Sequence, residues 1–310
     1  MRVFFAGTPE IAVPSLEKLA ERHEVVGVLT NPDRECGRGR EIKCCQVKMK
    51  ADELGIQTFQ PEKLDEAFIE EIRALEPEIL AVTAYGQIFR KNFIDIFPYG
   101  GLNVHPSMLP KFRGASPIQS ALLSGDDETG ISIQRLALKM DSGAILAQEQ
   151  YVYSSDDTAE SLTVYFAKRG AELLAEVVDK VEAGTAVETQ QDESAVSYCS
   201  YITKDDGLID WTEPASAIDR RLRAFTPWPG VYTFFSGKKL NILEAELYPQ
   251  EDAEGECGKV IRVDKKAGIL IQTGRGILAV RMLQLQSKKA LDWKSFTNGV
   301  KDFTDAVLGG

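Results

Sequence analysis

The sequence predicts an α/β fold in which an N-terminal domain with a Rossmann-like, mostly parallel β-sheet is followed by a smaller C-terminal β-barrel of OB-like type. The first half of the chain alternates apolar strands with amphipathic helices, which is typical of crossover units in a parallel sheet. The last third contains several short strands separated by turns, which is typical of a small barrel. A chain of 310 residues also exceeds the usual size of one hydrophobic core, so two domains are expected.

The N-terminal sheet is predicted from apolar runs that end at turns. Its expected strands are residues 2–6, 25–30, 78–85, 101–104, 131–138 and 144–153. The expected helices start behind Thr8 and then run near residues 47–54, 64–75, 114–123 and 157–183. Thr8 is expected as the N-cap of the first helix and Pro9 as its first residue, because a hydroxyl can accept an early helical N–H and proline leaves no N–H unpaired.

The C-terminal domain is predicted after a polar segment, residues 185–204, that lacks both the helical and the strand period. A helix is expected near residues 214–225. The barrel strands are expected near residues 231–235, 240–247, 258–263, 268–273 and 276–286. We therefore divide the chain into a domain of residues 1–188, a linker of residues 189–204 and a domain of residues 205–310.

Composition limits the classes of function. The net charge of -11 argues against attraction of the whole surface to nucleic acid, which needs a local excess of lysine and arginine. The five cysteines are odd in number and scattered, so a disulfide framework is not expected and a reducing cytoplasm fits best. We read no signal, transit or membrane-spanning segment, and a monomer is the default expectation.

The chain has only two histidines, so their positions are informative. His23 lies in a short connection between a helix and a strand, where a surface role is expected. His105 directly follows a buried strand, and open parallel sheets bind ligands beyond the carboxyl ends of their strands. Strand alternation puts Asn103 on the same side as His105, and Asp141 lies in a turn between two later strands. We expect Asn103, His105 and Asp141 to form the polar centre of an active site.

Several other chemistries lack the residues they need. No Cys-x-x-Cys pair accompanies His105, and the spacing of Cys36, Cys44 and Cys45 is not that of a usual zinc site, so no metal is expected. No glycine-rich dinucleotide or nucleoside triphosphate motif follows the first strand. Ser107 lies close to His105 but lacks the Gly-x-Ser-x-Gly turn of a serine nucleophile.

The remaining set of Asn, His and Asp suits acyl transfer to an amine without metal or covalent intermediate. Asn103 and a protonated His105 would donate hydrogen bonds to the developing oxyanion. Asp141 would orient the imidazole and favour its charged form, and the two would move protons from the incoming amine.

At these residues the chain resembles the folate-dependent formyltransferase family. The family motif Asn-x-His-x-Ser-Leu-Leu-Pro appears as Asn103-Val104-His105-Pro106-Ser107-Met108-Leu109-Pro110, with Met108 in place of a leucine, and it is followed by the turn Asp141-Ser142-Gly143. Further similar segments are residues 6–9, 31–34, 37–40, 84–86, 111–118 and 223–229, and these resemble the branch of the family that acts on initiator tRNA.

The resemblance implies transfer of a formyl group from 10-formyltetrahydrofolate, as co-substrate, to the α-amino group of methionine on initiator tRNA. It implies a folate site formed by Ser107, Met108, Leu109 and Pro110, with the pterin near Gly86, Gln87, Ile88 and Phe89. It also implies a loop that enters the acceptor stem, formed by Gly37, Arg38, Gly39 and Arg40, with Arg38 the critical arginine. The C-terminal barrel would hold the tRNA backbone.

Two departures and several alternatives stand beside this resemblance. Residues 41–47 replace a Ser- and Pro-containing segment of the family, and Ala144 occupies a position that is often acidic. The same catalytic core serves formylation of a sugar amine or of glycinamide ribonucleotide, and hydrolysis of formyl-folate. The arginine loop and the full C-terminal domain favour tRNA. A non-enzymatic RNA-binding module would instead show a basic, aromatic-bearing surface without the ordered Asn, His and Asp set.

Overall fold

The computed structural model describes residues 1–36, 41–249, 255–304 and 306–309. In chain order its strands are β1 Arg2–Gly7, β2 Glu24–Leu29, β3 Arg34–Cys36, β4 Glu41–Lys43, β5 Thr58–Phe59, β6 Ile79–Thr83, β7 Gly101–His105, β8 Arg113–Gly114, β9 Glu128–Arg135, β10 Ile145–Val152, β11 Tyr198–Cys199, β12 Val231–Phe235, β13 Lys238–Tyr248, β14 Val260–Asp264, β15 Gly268–Gln272, β16 Ile277–Leu285 and β17 Leu291–Asp292. Its helices are α1 Val13–Arg22, α2 Gln46–Glu53, α3 Glu66–Arg73, α4 Lys91–Ile94, α5 Pro117–Ser124, α6 Ala159–Glu182, α7 Ala215–Ala224 and α8 Trp293–Gly299.

The chain divides into two compact units. The first consists of residues 1–117, 128–153 and 162–199, and the second of residues 118–127, 154–161 and 200–310. The boundaries that we drew at residues 188 and 205 stay a prediction. The predicted linker nevertheless forms structure, because β11 pairs in parallel with β8, and Thr189 bridges Ile145 at the start of β10.

The first unit is built on a seven-stranded sheet in the order β10-β9-β7-β6-β1-β2-β5. The strands from β7 to β5 pair in parallel, and β9 and β10 add two antiparallel strands at one edge. The prediction of a mostly parallel sheet is therefore confirmed. The central strand β1 is apolar and fully buried from Val3 to Ala6, as expected for a strand covered on both faces.

The start of the first helix differs from the prediction. A 3-10 turn at Glu10–Ala12 precedes α1, and Pro9 rather than Thr8 is its N-cap residue. The Thr8 hydroxyl instead accepts a hydrogen bond from the backbone N–H of Asn31, at 3.2 Å. Thr8 therefore connects the loops after β1 and β2 and does not cap a helix.

The second unit contains a six-stranded antiparallel sheet, with β12-β13-β16-β15-β14 in order and β17 paired to β16. The two outer strands of this order, β12 and β14, are linked by the segment 306–309. The N–H of Gly309 donates to Phe234 in β12 at 3.0 Å, and Val260 in β14 donates to the carbonyl of Ala306 at 2.8 Å. The segment therefore joins the two outer strands, and the sheet closes in a barrel-like manner.

Among the described residues, none of the helices combines the length and the apolar composition that crossing a lipid bilayer would require.

Candidate active site

The candidate site lies at the carboxyl ends of the parallel strands of the first unit. The chain runs from β1 to β2 on one side and later returns to β6 on the other side of β1, so the direction of winding changes between β1 and β6. Asn31, after β2, donates its side-chain N–H to the carbonyl of Tyr85 at 3.0 Å and accepts the amide N–H of Gln87 at 2.7 Å. Loops from neighbouring strands thus meet at a crevice where α/β sheets bind ligands.

Asn103 and His105 lie at the end of β7 with one residue between them, and therefore project to the same face of the sheet. Asn103 lies opposite Gln134 and His105 lies opposite Ser132 on β9. The Asn103 side chain is half-buried, and His105 is only 4% exposed. The two residues therefore lie close together in one strand, as predicted.

The tautomer of His105 is set by a backbone contact. Its Nε2 lies 2.9 Å from the carbonyl oxygen of Phe112, which can only accept, so Nε2 carries the proton. In the neutral imidazole Nδ1 then keeps its lone pair. Phe112 holds its carbonyl in this position with a left-handed φ of 60°, and its own N–H donates to the hydroxyl of Ser197 at 2.9 Å.

Asp141 lies on the Nδ1 side of the imidazole. The distance from His105 Nδ1 to Asp141 Oδ1 is 3.8 Å, which is an ion-pair distance but too long for a direct hydrogen bond. Burial lowers the pKa of His105, while the Asp141 carboxylate and the Phe112 carbonyl raise it by less. Asp141 thus favours the charged form of His105, as expected, but burial of the ring has the larger effect and the pKa is lowered.

The Asp141 carboxylate is held on both oxygens. Oδ2 accepts the backbone N–H of Gly114 at 2.9 Å, and Oδ1 accepts the side-chain N–H of Gln134 at 2.9 Å. Asp141 has a φ of 49°, in the left-handed region that Asp tolerates better than most residues. A Cβ on Gly143 would lie 1.8 Å from the carbonyl of Arg135, so this tight turn requires glycine there.

The residues that support this turn were not predicted from the sequence. Gln191, inside the predicted linker, donates to the carbonyls of Asp141 and Gly143 at 2.8 and 2.7 Å. Its side-chain oxygen accepts both Nε and Nη2 of the fully buried Arg113, at 3.0 and 2.8 Å. Arg113 Nη2 also binds Glu193 at 2.7 Å. A polar residue in a segment without any period gives no sequence signal for such a role.

The predicted folate residues 107–110 form a tight turn behind the site. Ser107 is fully buried and its hydroxyl donates to the carbonyl of Lys111 at 2.7 Å, so this hydroxyl shapes the turn. Leu109 is also buried, and its N–H donates to Ser132 at 3.2 Å. Met108 and Pro110 are half-buried and keep surface that a ligand could contact.

The predicted pterin residues form the loop after β6. Gly86 has a φ of 84°, and Gly86, Gln87 and Ile88 are exposed, with Ile88 at 80%. Phe89 is buried, and its ring stacks on that of Tyr85 at a centroid distance of 5.2 Å. The loop therefore combines a rigid aromatic base with an exposed apolar tip.

The predicted tRNA-binding residues Gly37, Arg38, Gly39 and Arg40 lie outside the described residues. The base of their loop is described. Lys48 Nζ binds Asp33 Oδ2 and Gln60 Oε1, each at 2.7 Å, and the Gln60 amide donates to Asp33 Oδ1 at 2.9 Å. Hydrogen bonds from Lys48 and Gln60 lower the pKa of Asp33. These three side chains fix the segment that leads into the loop.

His23 corrects another prediction. Its side chain is only 2% exposed, because it packs against α6 and does not lie on the surface. Among the described residues, His23, Asp179 and Glu182 are the group whose spacing could hold a metal ion. His23 Nε2 lies 3.3 Å from Asp179 Oδ1, and Asp179 also binds Arg22. A cation from the chain itself therefore already faces this carboxylate.

Two family models match the chain. The one described as Formyl transferase matches residues 1–178, and the one described as Formyl transferase, C-terminal domain, matches residues 201–301. The chain is 44% identical to a protein of Treponema denticola named methionyl-tRNA formyltransferase, over 98% of each chain. It is 39% identical to the protein of that name from Borrelia hermsii, over 99% of this chain and 100% of that one.

A solved structure shares the fold at lower identity. The N-formyltransferase from Helicobacter canadensis, in complex with folinic acid and dTDP-3-aminofucose, matches with a TM-score of 0.66 at 20% identity. The match covers 90% of this chain and 99% of that one.

Proposed function

This chain belongs to the formyl transferase family, and we propose that it transfers a formyl group to the α-amino group of methionine on initiator tRNA. The observation that carries this proposal is the full-length match to relatives named methionyl-tRNA formyltransferase, at 39 to 44% identity. The N-formyltransferase of known structure, solved with dTDP-3-aminofucose, matches at only 20% identity. The reaction class itself also fits the side chains at the end of β7.

In this proposal His105 acts as the base. An amine that attacks a formyl carbon must lose a proton, and the bare Nδ1 of the neutral imidazole can take it. The resulting imidazolium would lie 3.8 Å from the Asp141 carboxylate, which stabilises the positive charge. Asn103, on the same face of β7, would donate its amide N–H to the oxyanion that develops on the formyl oxygen.

The formyl donor is proposed to be 10-formyltetrahydrofolate, held by residues of the 86–89 and 107–110 segments. The exposed Ile88 and the positive-φ Gly86 suit a flat ring that lies on the loop after β6. Met108 and Pro110 offer the remaining partly exposed surface, whereas the side chains of Ser107 and Leu109 would act from behind the turn. The proposed reaction uses no metal.

The tRNA is proposed to contact the arginine loop through Arg38 and Arg40, with Gly37 and Gly39 giving the backbone freedom to adapt. The second unit would bind the tRNA backbone. A tRNA substrate fits a cytoplasmic enzyme, as do Cys44, Cys45, Cys199 and Cys257, which form no disulfide among the described residues. We propose a monomer.

A direct assay tests the function. Purified protein, 10-formyltetrahydrofolate and methionyl initiator tRNA are incubated, and the deacylated amino acid is examined for formyl-methionine. We expect formyl-methionine to accumulate with protein concentration. Absence of transfer, in parallel with an active reference enzyme, would overturn the proposal.

Two controls define the acceptor. Methionyl elongator tRNA and a nucleotide-linked amino sugar are offered at the same concentrations. We expect kcat/KM to be far lower for both, because neither presents the methionyl amine on an initiator acceptor stem. Preferred formylation of the amino sugar would move the assignment to the sugar branch of the family.

A further inference from the structure

We infer that Gln134 is a positioning residue for the Asp141 side chain, and that Gln191 fixes the backbone of the Asp141 turn. This inference rests on the proposed function and concerns the residues that hold Asp141, one of its reacting groups. Gln134 is 1% exposed near the C-terminal end of β9. A buried amide needs hydrogen-bond partners, and here they determine what the amide can do.

The partners of Gln134 fix the orientation of its amide. The nitrogen donates to Asp141 Oδ1 at 2.9 Å, and the oxygen faces the amide nitrogen of Gln191 at 3.4 Å. Because a carboxylate oxygen only accepts hydrogen bonds, the amide nitrogen of Gln134 and not its oxygen faces Asp141.

Oδ1 is the oxygen that matters for His105. The same atom that accepts from Gln134 faces His105 Nδ1 at 3.8 Å. Without this donor, Gly114 would be the remaining hydrogen-bond donor to the carboxylate among the described residues, on Oδ2, and the carboxylate could rotate about that contact. The Gln134 bond therefore sets the direction from which Asp141 meets the imidazolium.

Gln191 supplies the second constraint. Its two N–H groups bind the carbonyls of Asp141 and Gly143, and its oxygen binds Arg113 twice, so all of its hydrogen-bonding capacity is used. Backbone and side chain of Asp141 are thus fixed by two different glutamines. Outer hydrogen bonds of this kind commonly change activity by about 10- to 100-fold, as is known for ligand-orienting partners in metal sites.

The test replaces Gln134 by side chains of similar size. Gln134→Met removes the donor and should lower kcat by about 10-fold or more, with KM for both substrates within about 2-fold, since the bond acts on the reacting groups. Gln150→Met is the matched control, because Gln150 is exposed on β10 and its amide binds Glu128. We expect the control to keep wild-type kcat.

A second variant gives a readout that a purely structural role of Gln134 would not change. Gln134→Glu donates to Asp141 only when the new carboxyl is protonated, so its kcat relative to wild type should rise as pH falls, while that of Gln134→Met stays flat. The ionisable groups around this position are His105 on β7, Asp141, and Arg113 with Glu193 behind Gln191.

The outcomes separate this inference from the proposed function. If the wild type does not formylate initiator tRNA, the function fails. If the wild type is active and Gln134→Met matches Gln150→Met, the positioning role is wrong. If Gln134→Met does not fold, Gln134→Glu decides, and a pH-independent ratio to wild type would overturn the inference.

Discussion

The carbonyl oxygen of Phe112 accepts the Nε2–H of His105 at 2.9 Å, and this one contact leaves Nδ1 as the nitrogen that can accept a proton. The backbone of Phe112 is in turn held by Ser197, 85 residues later in the chain. A carbonyl therefore performs here the orienting task that a carboxylate performs in many catalytic histidines, and Asp141 is left to interact with the charged form.

The first prediction concerns pH. Burial lowers the pKa of His105 below its ordinary 6.5, so the imidazole stays neutral to below that pH. If neutral His105 is the base, kcat at saturating substrate concentrations falls as pH drops through the lowered pKa of His105. Asp141 raises this pKa, so Asp141→Asn should move the acid limb to still lower pH while it reduces the plateau.

The measurement is a pH profile of kcat at saturating substrate concentrations together with an NMR titration of the imidazole. The chain has two histidines, so a His23→Gln variant leaves one signal to follow. An NMR midpoint of the His105 imidazole above pH 6.5 would contradict a neutral, buried base.

Asn103 is predicted to stabilise the oxyanion. Asn103→Leu keeps the size of the side chain but removes its donor, and kcat should fall by about 100- to 1,000-fold, as for loss of one oxyanion donor elsewhere. The midpoint of urea unfolding should stay close to that of wild type, because the Asn103 side chain is only half-buried. A loss of less than about 3-fold in kcat would remove Asn103 from this role.

Gly114 is predicted to be irreplaceable. Its φ is 127°, and an added Cβ would lie 2.0 Å from the carbonyl of Cys199, so Gly114→Ala must displace backbone that also holds Asp141. We expect a loss of more than about 2 kcal/mol in unfolding free energy and a large loss of activity. Gly55→Ala is the control, because Gly55 has a φ of 69° with open space around it, and should cost about 1 kcal/mol. Urea titrations of both variants decide.

Removal of the Tyr85 hydroxyl is predicted to leave the stability of the protein unchanged or to raise it. Its ring is 2% exposed in the aromatic cluster, and its hydroxyl has no hydrogen-bond partner among the described residues. Burial raises the pKa of this phenol to about 12. Tyr85→Phe should leave stability unchanged or raise it by about 1 kcal/mol, since an unsatisfied buried group is removed. The exposed Tyr99→Phe should have no effect, and a loss of more than about 1 kcal/mol in Tyr85→Phe would reveal a missed partner.

Substitutions in the arginine loop and at His105 are predicted to change different kinetic constants. His105→Ala should abolish turnover at any substrate concentration. Arg38→Ala should mainly raise KM for initiator tRNA and reduce the dependence of binding on salt, because one cationic contact is lost. Steady-state kinetics at several salt concentrations distinguish the two, and equal modest losses in both variants would contradict the assigned roles.

Much of this fold is readable from sequence because its strands are long apolar runs. β1, β6 and β7 were predicted from such runs and are confirmed, and Asn103 and His105 follow from strand alternation alone. β5 and α4 were missed, since two and four residues give no period. His23 was misjudged because its burial depends on α6, more than 150 residues later.

The support of the site was missed for a related reason. Ser132 and Gln134 are polar at alternate positions of a buried strand, which is a usable signal for a polar face within β9. Gln191 has no such signal, because its partner Arg113 lies 78 residues away and only the tertiary fold brings them together. Local pattern therefore predicts the proposed reacting residues more readily than the residues that hold them.

The segment that contains Gln191, Ser197 and Cys199 has a practical consequence for exchanging the second unit between relatives. A chimera joined at residue 188 would take this segment from the other protein. Arg113, Phe112 and Asp141 of the recipient would then contact residues of that other protein. A junction just after Cys199 keeps the recipient's own contacts around the imidazole and the carboxylate. Crossover designs for this chain should therefore treat residues 189–199 as belonging to the first unit.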